Sequence, residues 1–98
     1  MFARLTKFQI KIKKINEASK LYKESVLPAA RSQKGYRGSY LLVDSKTGNT
    51  AALTLWDSEE DAIANEKNLY YQEQLVKFLG LLTKPSFIRE GYEVKVQA

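Results

Sequence analysis

The densest run of acids in the chain is Ser58-Glu59-Glu60-Asp61. Neighbouring carboxylates can act as general acid and base. Here the spacing points elsewhere. A serine followed three residues later by a carboxylate is close to a capping box, and acids in a first turn meet the positive end of a helix. The side chains that carry most acid–base and nucleophilic chemistry are missing, because the sequence has no His and no Cys. That removes a Ser-His-Asp triad, a thiolate nucleophile, a disulfide and a Cys/His zinc site. Any catalysis must come from carboxylates, Tyr, Lys, Arg, Asn or the substrate itself. The expectation is a protein without metal or cofactor.

The 98 residues suffice for one domain, spanning 1–98, and 44% of them are apolar. One core is affordable at that length and two are not. The only N-terminal apolar stretch, MFARLTKFQIKI, has charges inside it. It reads as neither signal peptide nor membrane span, so a cytoplasmic protein with no membrane partner is expected. The net charge of +5 is uneven. Residues 1–34 hold nine basic and two acidic side chains, whereas residues 35–98 hold seven and nine. Such a patch could attract phosphate, though a solvated lysine face explains it as well. Lys34-Gly35-Tyr36 resembles the start of an RNA-binding RNP1 motif. Arg37-Gly38 breaks the pattern, and the run opens the second strand instead of the third. RNA binding is therefore kept as a minor alternative.

The elements follow from periodicity. Phe2 to Lys13 alternates, with Phe8, Ile10 and Ile12 on one face, and predicts a strand. Ile15 to Ser32 changes to helical spacing through Ile15, Ala18, Tyr22, Val26 and Ala29. Asn16 is the expected N-cap, and Pro28 should kink or end the helix. Gly35–Asp44 and Thr50–Asp57 read as strands joined by SKTGN, a hairpin in which Gly48 supplies φ > 0. Ser58 caps a helical pattern that runs to Leu79, with a break expected at Asn65–Asn68. Gly80 reads as the glycine beyond the helix end, with Leu81 packing back on Val76. Phe87–Val96 is the last strand.

The order β-α-β-β-α-β predicts an α+β, ferredoxin-like fold, an antiparallel four-stranded sheet with helices on one face. The middle strands are apolar on both faces. Tyr36, Tyr40 and Leu42 fall on one side, Leu41 and Val43 on the other. Strands of that kind are buried on both sides. A chain this short has nothing left to cover the second face, so a homodimer packed sheet on sheet is expected.

Gly35-Tyr36-Arg37-Gly38, then Asp44, Thr47-Gly48 and Leu55-Trp56-Asp57-Ser58-Glu59-Glu60-Asp61-Ala62, resemble the antibiotic biosynthesis monooxygenase-like family of the dimeric α+β barrel superfamily. The helix ending near Gly80, Lys84-Pro85 and the Tyr92 strand fit too, so the resemblance covers nearly the whole chain. It implies two protomers whose sheets close one barrel, with a cavity between sheet and helices in each. It also implies one of several roles: cofactor-independent oxygenation of quinol- or anthrone-like rings, haem degradation, or functions not assigned. The haem degraders use an Asn on the first strand and a Trp and a His on the second helical region. Ala64 and Gln74 fall near the last two positions and no His exists, so haem degradation is not expected.

In the cofactor-independent reaction the substrate anion itself reacts with O2. The protein need only bind a flat phenol and favour its ionised form, with an apolar slot and a few donors or cations. The candidates are Arg37 to hold the anion, Asn65 to donate a hydrogen bond, and Tyr40, Trp56, Tyr70 and Tyr71 to stack on the ring. Each has a structural reading beside it. Trp56 is first a core anchor, Arg37 could pair with an acid, Asn65 could mark only the helix break, and only one of Tyr70 and Tyr71 can face a cavity. No residue is assigned as catalytic. The alternative is a homodimer that binds a small apolar or aromatic molecule, or docks a partner, without chemistry.

Overall fold

A computed structural model describes the backbone of residues 1–98 and every side chain except that of Tyr70. Four strands form one antiparallel sheet: β1 (Phe2–Gln9), β2 (Tyr36–Val43), β3 (Asn49–Trp56) and β4 (Ile88–Glu93), in the order β2-β3-β1-β4. Helices α1 (Ile15–Leu21), α2 (Leu27–Arg31), α3 (Glu59–Glu66) and α4 (Leu69–Phe78) lie on one face. This is the α+β, ferredoxin-like arrangement that the element order predicts. No helix is long and apolar enough to cross a membrane among the described residues.

The register assigns the two faces. Phe2, Arg4, Thr6 and Phe8 of β1 stand opposite Trp56, Thr54, Ala52 and Thr50 of β3, and these point towards the helices. Ala3 and Leu5 stand opposite Leu55 and Leu53 on the outer face. The core gathers between sheet and helices. Ile10, Ala18, Tyr22, Phe78 and Leu82 form one buried cluster, and Phe2, Trp56 and Ala62 form a second.

Several local features depart from the sequence reading. β1 stops at Gln9 instead of Lys13. Ile10 keeps an isolated bridge to Leu82, and Ile12 sits exposed on a 3-10 turn, Ile12–Lys14. A peptide N–H at the strand end explains this: Ile10 donates to Gly48 and Lys11 to Leu81, which turns the chain off the sheet. Asn16 lies inside α1, whose N-cap is Lys14, without a side-chain capping bond. The helical winding does not stop at Pro28 but continues to Arg31. It widens beforehand into a π turn, Tyr22–Val26, so that Pro28 falls in the first turn of α2, where an absent N–H removes no ladder bond.

The Asn65–Asn68 break is present, between α3 and α4, and the Ser58 hydroxyl accepts from the Asp61 N–H at 3.2 Å. Gly80 is not a left-handed terminator. It sits in a 3-10 turn, Leu79–Leu81, while the positive-φ glycines are Gly35, Gly38 and Gly48. The largest difference lies in β2, where the register to β3 slips between Tyr36 and Gly38. The bulge at Arg37 inserts one residue, which sends Tyr36 and Tyr40 to opposite faces. Tyr36 meets Trp56 edge-on at 5.9 Å on the helix side, and Tyr40 stands on the outer face.

Candidate functional site

Between sheet and helices lies a cavity of about 80 Å³. Its apolar walls come from Phe8, Ala52 and Trp56 on the strands and from Val26, Leu75 and Phe78 on the helices. Phe8 anchors one end, packing on Phe78 at 6.0 Å and on Phe87 at 5.4 Å between ring centres. An engineered apolar cavity that takes benzene measures about 150 Å³. The present space is thus about half of what a six-membered ring needs, and a ring enters only if the wall yields. The part of the wall best suited to yield is the helical one, which is interrupted twice: at the π turn and at the α3–α4 break.

Few polar groups reach this space, and they fall on two sides. Tyr71 and Gln74 come from α4 and Asn65 from α3. The Gln74 carbonyl already accepts from Ser25 at 2.9 Å, and Ser25 accepts from Lys77 at 2.7 Å. The Tyr71 hydroxyl is buried and has no hydrogen-bond partner among the described residues. Arg89 of β4 lies over the same ring, with its guanidinium carbon 5.5 Å from the ring centre. On the other side, Tyr22, Ser39 and Thr54 bring three hydroxyls. Burial pushes the Tyr22 phenol above its ordinary value of 10.0, and hydrogen bonds from Ser39 and Thr54 pull it partly back.

Of the residues singled out from sequence, Trp56, Asn65 and Tyr71 come together on this cavity. The side chain of Tyr70 lies outside the described residues. Arg37 and Tyr40 are placed elsewhere. Arg37 is exposed on the bulge and pairs with Asp57, and Tyr40 is exposed on the outer face of the sheet. A strand residue can face the cavity only on the helix side; regular pairing with Leu53 puts Tyr40 on the outer side, and the bulge leaves Arg37 exposed at the irregular position. Gln74 lines the cavity as its place in the helix suggests. Ala64 does not: it lines a surface pocket with Lys34, Glu60, Asp61 and Asn68. Asn65 borders both spaces and so forms the partition between them.

The sequence reading missed Ser39, Thr54, Gln74 as a polar lining group, and Arg89. Ser39 and Thr54 could have been found. Two hydroxyls interrupt otherwise apolar strands at positions that the alternation points inward. Arg89 carried no signal, because its place over Tyr71 depends on how α4 crosses β4.

No known family's sequence profile matches the chain, and none of the curated proteins matches it in sequence. The fold does have solved counterparts. A Deinococcus radiodurans protein, provisionally named an antibiotic biosynthesis monooxygenase, superposes with a TM-score of 0.79 at 14% identity over 100% of this chain and 96% of its own. Another structure named an antibiotic biosynthesis monooxygenase gives 0.74 at 16%, over 96% and 98%. A conserved protein from Methanosarcina mazei gives 0.77 at 17%, over 96% and 92%. The chain therefore has the ferredoxin-like α+β fold of the antibiotic biosynthesis monooxygenase-like proteins. Identities this low establish the fold.

Proposed function

We propose that this chain is a cofactor-independent monooxygenase-like protein that binds a small, mostly apolar, quinol- or phenol-like molecule in the cavity between sheet and helices. One observation carries the reading. Tyr71 lines the apolar space, and its hydroxyl is buried with no hydrogen-bond partner among the described residues. A buried hydroxyl without a partner costs free energy, and a ligand oxygen in the cavity removes that cost. Phe8, Trp56 and Phe78 supply flat apolar contact for a ring. Arg89 is exposed and stacks on Tyr71 without lining the cavity, so its positive charge reaches a bound phenol only across that ring. The ring anion then reacts with O2 directly, and the protein contributes orientation, exclusion of water and electrostatics.

The working unit in this reading is a homodimer. The outer face of the sheet presents Tyr40, Leu42, Ile88 and Tyr92, each 51–60% exposed, around the inner strands' Leu5, Leu53 and Leu55. A second copy packed face to face covers this surface and closes the barrel.

Trp56 is the only tryptophan and lines the cavity, so its indole N–H gives a single reporter in a proton–nitrogen correlation spectrum. Titration with p-cresol is expected to move that resonance, and Ala30→Phe, which fills the cavity, to abolish the shift. Oxygen uptake with a quinol, on chelator-treated protein, then separates the enzyme from the non-catalytic binder. Uptake lost in Ala30→Phe supports oxygenation, and binding without uptake supports the binder. A Trp56 resonance that no phenol moves ends both readings.

A further inference from the structure

Among the described residues no charged side chain lines the cavity, and the titratable ones there are Tyr22 and Tyr71. An ionised ring oxygen in this space has to rely on neutral donors. A hydroxyl donates or accepts as it turns, and so favours neither form of a phenol. Gln74 differs, because two neighbouring side chains settle which end of its amide is free. The Lys77 ammonium, which can only donate, stands 2.7 Å from the Ser25 hydroxyl. Ser25 has one proton to give, and gives it to the Gln74 carbonyl at 2.9 Å.

The exposed end of this chain of bonds fixes its sense. With Lys77 donating, the Ser25 oxygen accepts and its proton points onward to an acceptor. A reversed amide would set an N–H donor against that proton. The Gln74 oxygen is therefore held at Ser25. Its NH2 group has no partner among the described residues and is the end left for the cavity that Gln74 lines. Ser25 owes this role to its place in the π turn. Ser19, in the regular winding of α1, donates to the carbonyl four residues back, Ile15, at 2.8 Å. Ser25 instead reaches across to α4, where Gln74 and Lys77 are three residues apart and share a face. Each bond polarises the next, so the charge of Lys77 strengthens the donor end of the amide. The same bonds tie the π turn to α4, which leaves the α3–α4 break as the place where the wall gives to admit a ring.

We propose that Gln74 is the donor that meets the ligand's oxygen, and that Ser25 and Lys77 are positioning residues that hold its amide with the NH2 group towards the cavity. The ligand this selects is a ring with an oxygen that only accepts, an ionised phenol or a quinone carbonyl. The inference rests on the reading of the cavity as a ring site, and adds to it one specificity residue and the two side chains that orient it.

4-Fluorophenol and 4-fluorotoluene test it, since they differ by one hydroxyl in place of a methyl group at equal size. Binding of both is followed near neutral pH through the Trp56 indole resonance. The fluorine resonance of the bound phenol then reports its ionised share at about pH 9, where a free phenol is about one-tenth ionised. Bound to the wild type it is expected to be about half ionised, which is the ionised form held about tenfold more tightly than the neutral one. Gln74→Leu and Ser25→Ala are each expected to return the bound phenol to the free share, with 4-fluorotoluene bound at least as well as in the wild type. A phenol that stays as neutral in the wild-type cavity as in solution overturns the proposal without any variant. An equal loss for both ligands in Gln74→Leu also overturns it, because Gln74 is then only part of the wall. Wild-type ionisation in Ser25→Ala overturns the orienting role. If neither ligand moves Trp56 in the wild type, the ring site itself is wrong and this inference falls with it.

Discussion

The guanidinium of Arg89 stands 5.5 Å from the centre of the Tyr71 ring, and the hydroxyl at the end of that ring has no hydrogen-bond partner among the described residues. The first half of this relationship anchors the ring, and the second leaves its polar end unsatisfied. A site kept for a ligand shows that combination, because the free protein bears a cost that binding removes.

Tyr71→Phe therefore separates stability from function. An unsatisfied buried hydroxyl costs about 1–3 kcal/mol, so its removal should raise stability, by about 1 kcal/mol after the wall relaxes. The cavity should at the same time bind p-cresol several-fold more weakly. Thermal unfolding and the Trp56 titration measure the two effects. A variant less stable than wild type would show that the hydroxyl has a structural role instead.

Alkaline unfolding reports on Tyr22. Burial raises its folded pKa above the ordinary 10.0. The folded state then holds a proton that the unfolded chain loses first. The contribution is fully present below the unfolded value and is lost as pH rises through the folded one. Stability should fall above about pH 10, and the fall should be shallower in Tyr22→Phe. Lys7, raised by its hydrogen bond and charge pairing with Glu90, titrates in the same direction and is untouched by this variant. Denaturant midpoints between pH 9 and pH 11 in the two proteins decide the point; parallel curves would refute it.

The sheet's outer face should be an interface. Leu53 lies on the third strand in sequence, next to Tyr40 of β2 and Leu5 of β1. Leu53→Glu introduces a carboxylate into that surface and, in a dimer, a second one from the other copy. Sedimentation is expected to give a dimer for the wild type and a folded monomer for the variant. A wild-type monomer at micromolar concentration would sink the barrel. Exposed Tyr40 and Tyr92 would then be read as stacking surfaces for single-stranded nucleic acid.

Two glycines should respond in opposite ways to alanine. Gly48 has φ +80, and a Cβ there would strike the carbonyl oxygen of Ile10, just beyond β1. Gly48→Ala should cost about 1–3 kcal/mol. Gly80 has ordinary φ and open space around its missing Cβ. Gly80→Ala should be neutral or stabilise by up to about 1 kcal/mol. Urea midpoints measure both, and a Gly80→Ala loss comparable to that of Gly48→Ala would contradict the assignment.

Whatever depends on near neighbours along the chain is legible in the sequence. The alternation of Phe8, Ile10 and Ile12 with lysines, helical spacing in Ile15, Ala18 and Tyr22, the Ser58 cap and the Gly48 turn all act over a few residues, and each element is present, though the first strand ends at Gln9, before Ile10 and Ile12. The sequence also showed, through Leu41 against Leu42 and Leu55 against Trp56, that the sheet is apolar on both faces. The tertiary structure alone decided what the elements bring together. One extra residue at Arg37 reversed the facing of what precedes it in β2 and gave Tyr36 to Trp56, while pairing with Leu53 put Tyr40 on the outer face. The crossing of α4 over β4 placed Arg89 on Tyr71, and the π turn before Pro28 set Tyr22 among Ser39 and Thr54. A pattern of spacing fixes which face a side chain occupies only while the backbone period is unbroken. Where a bulge or a π turn adds a residue, the sum of contacts across the core selects the place of the break, and those contacts join residues far apart in the chain.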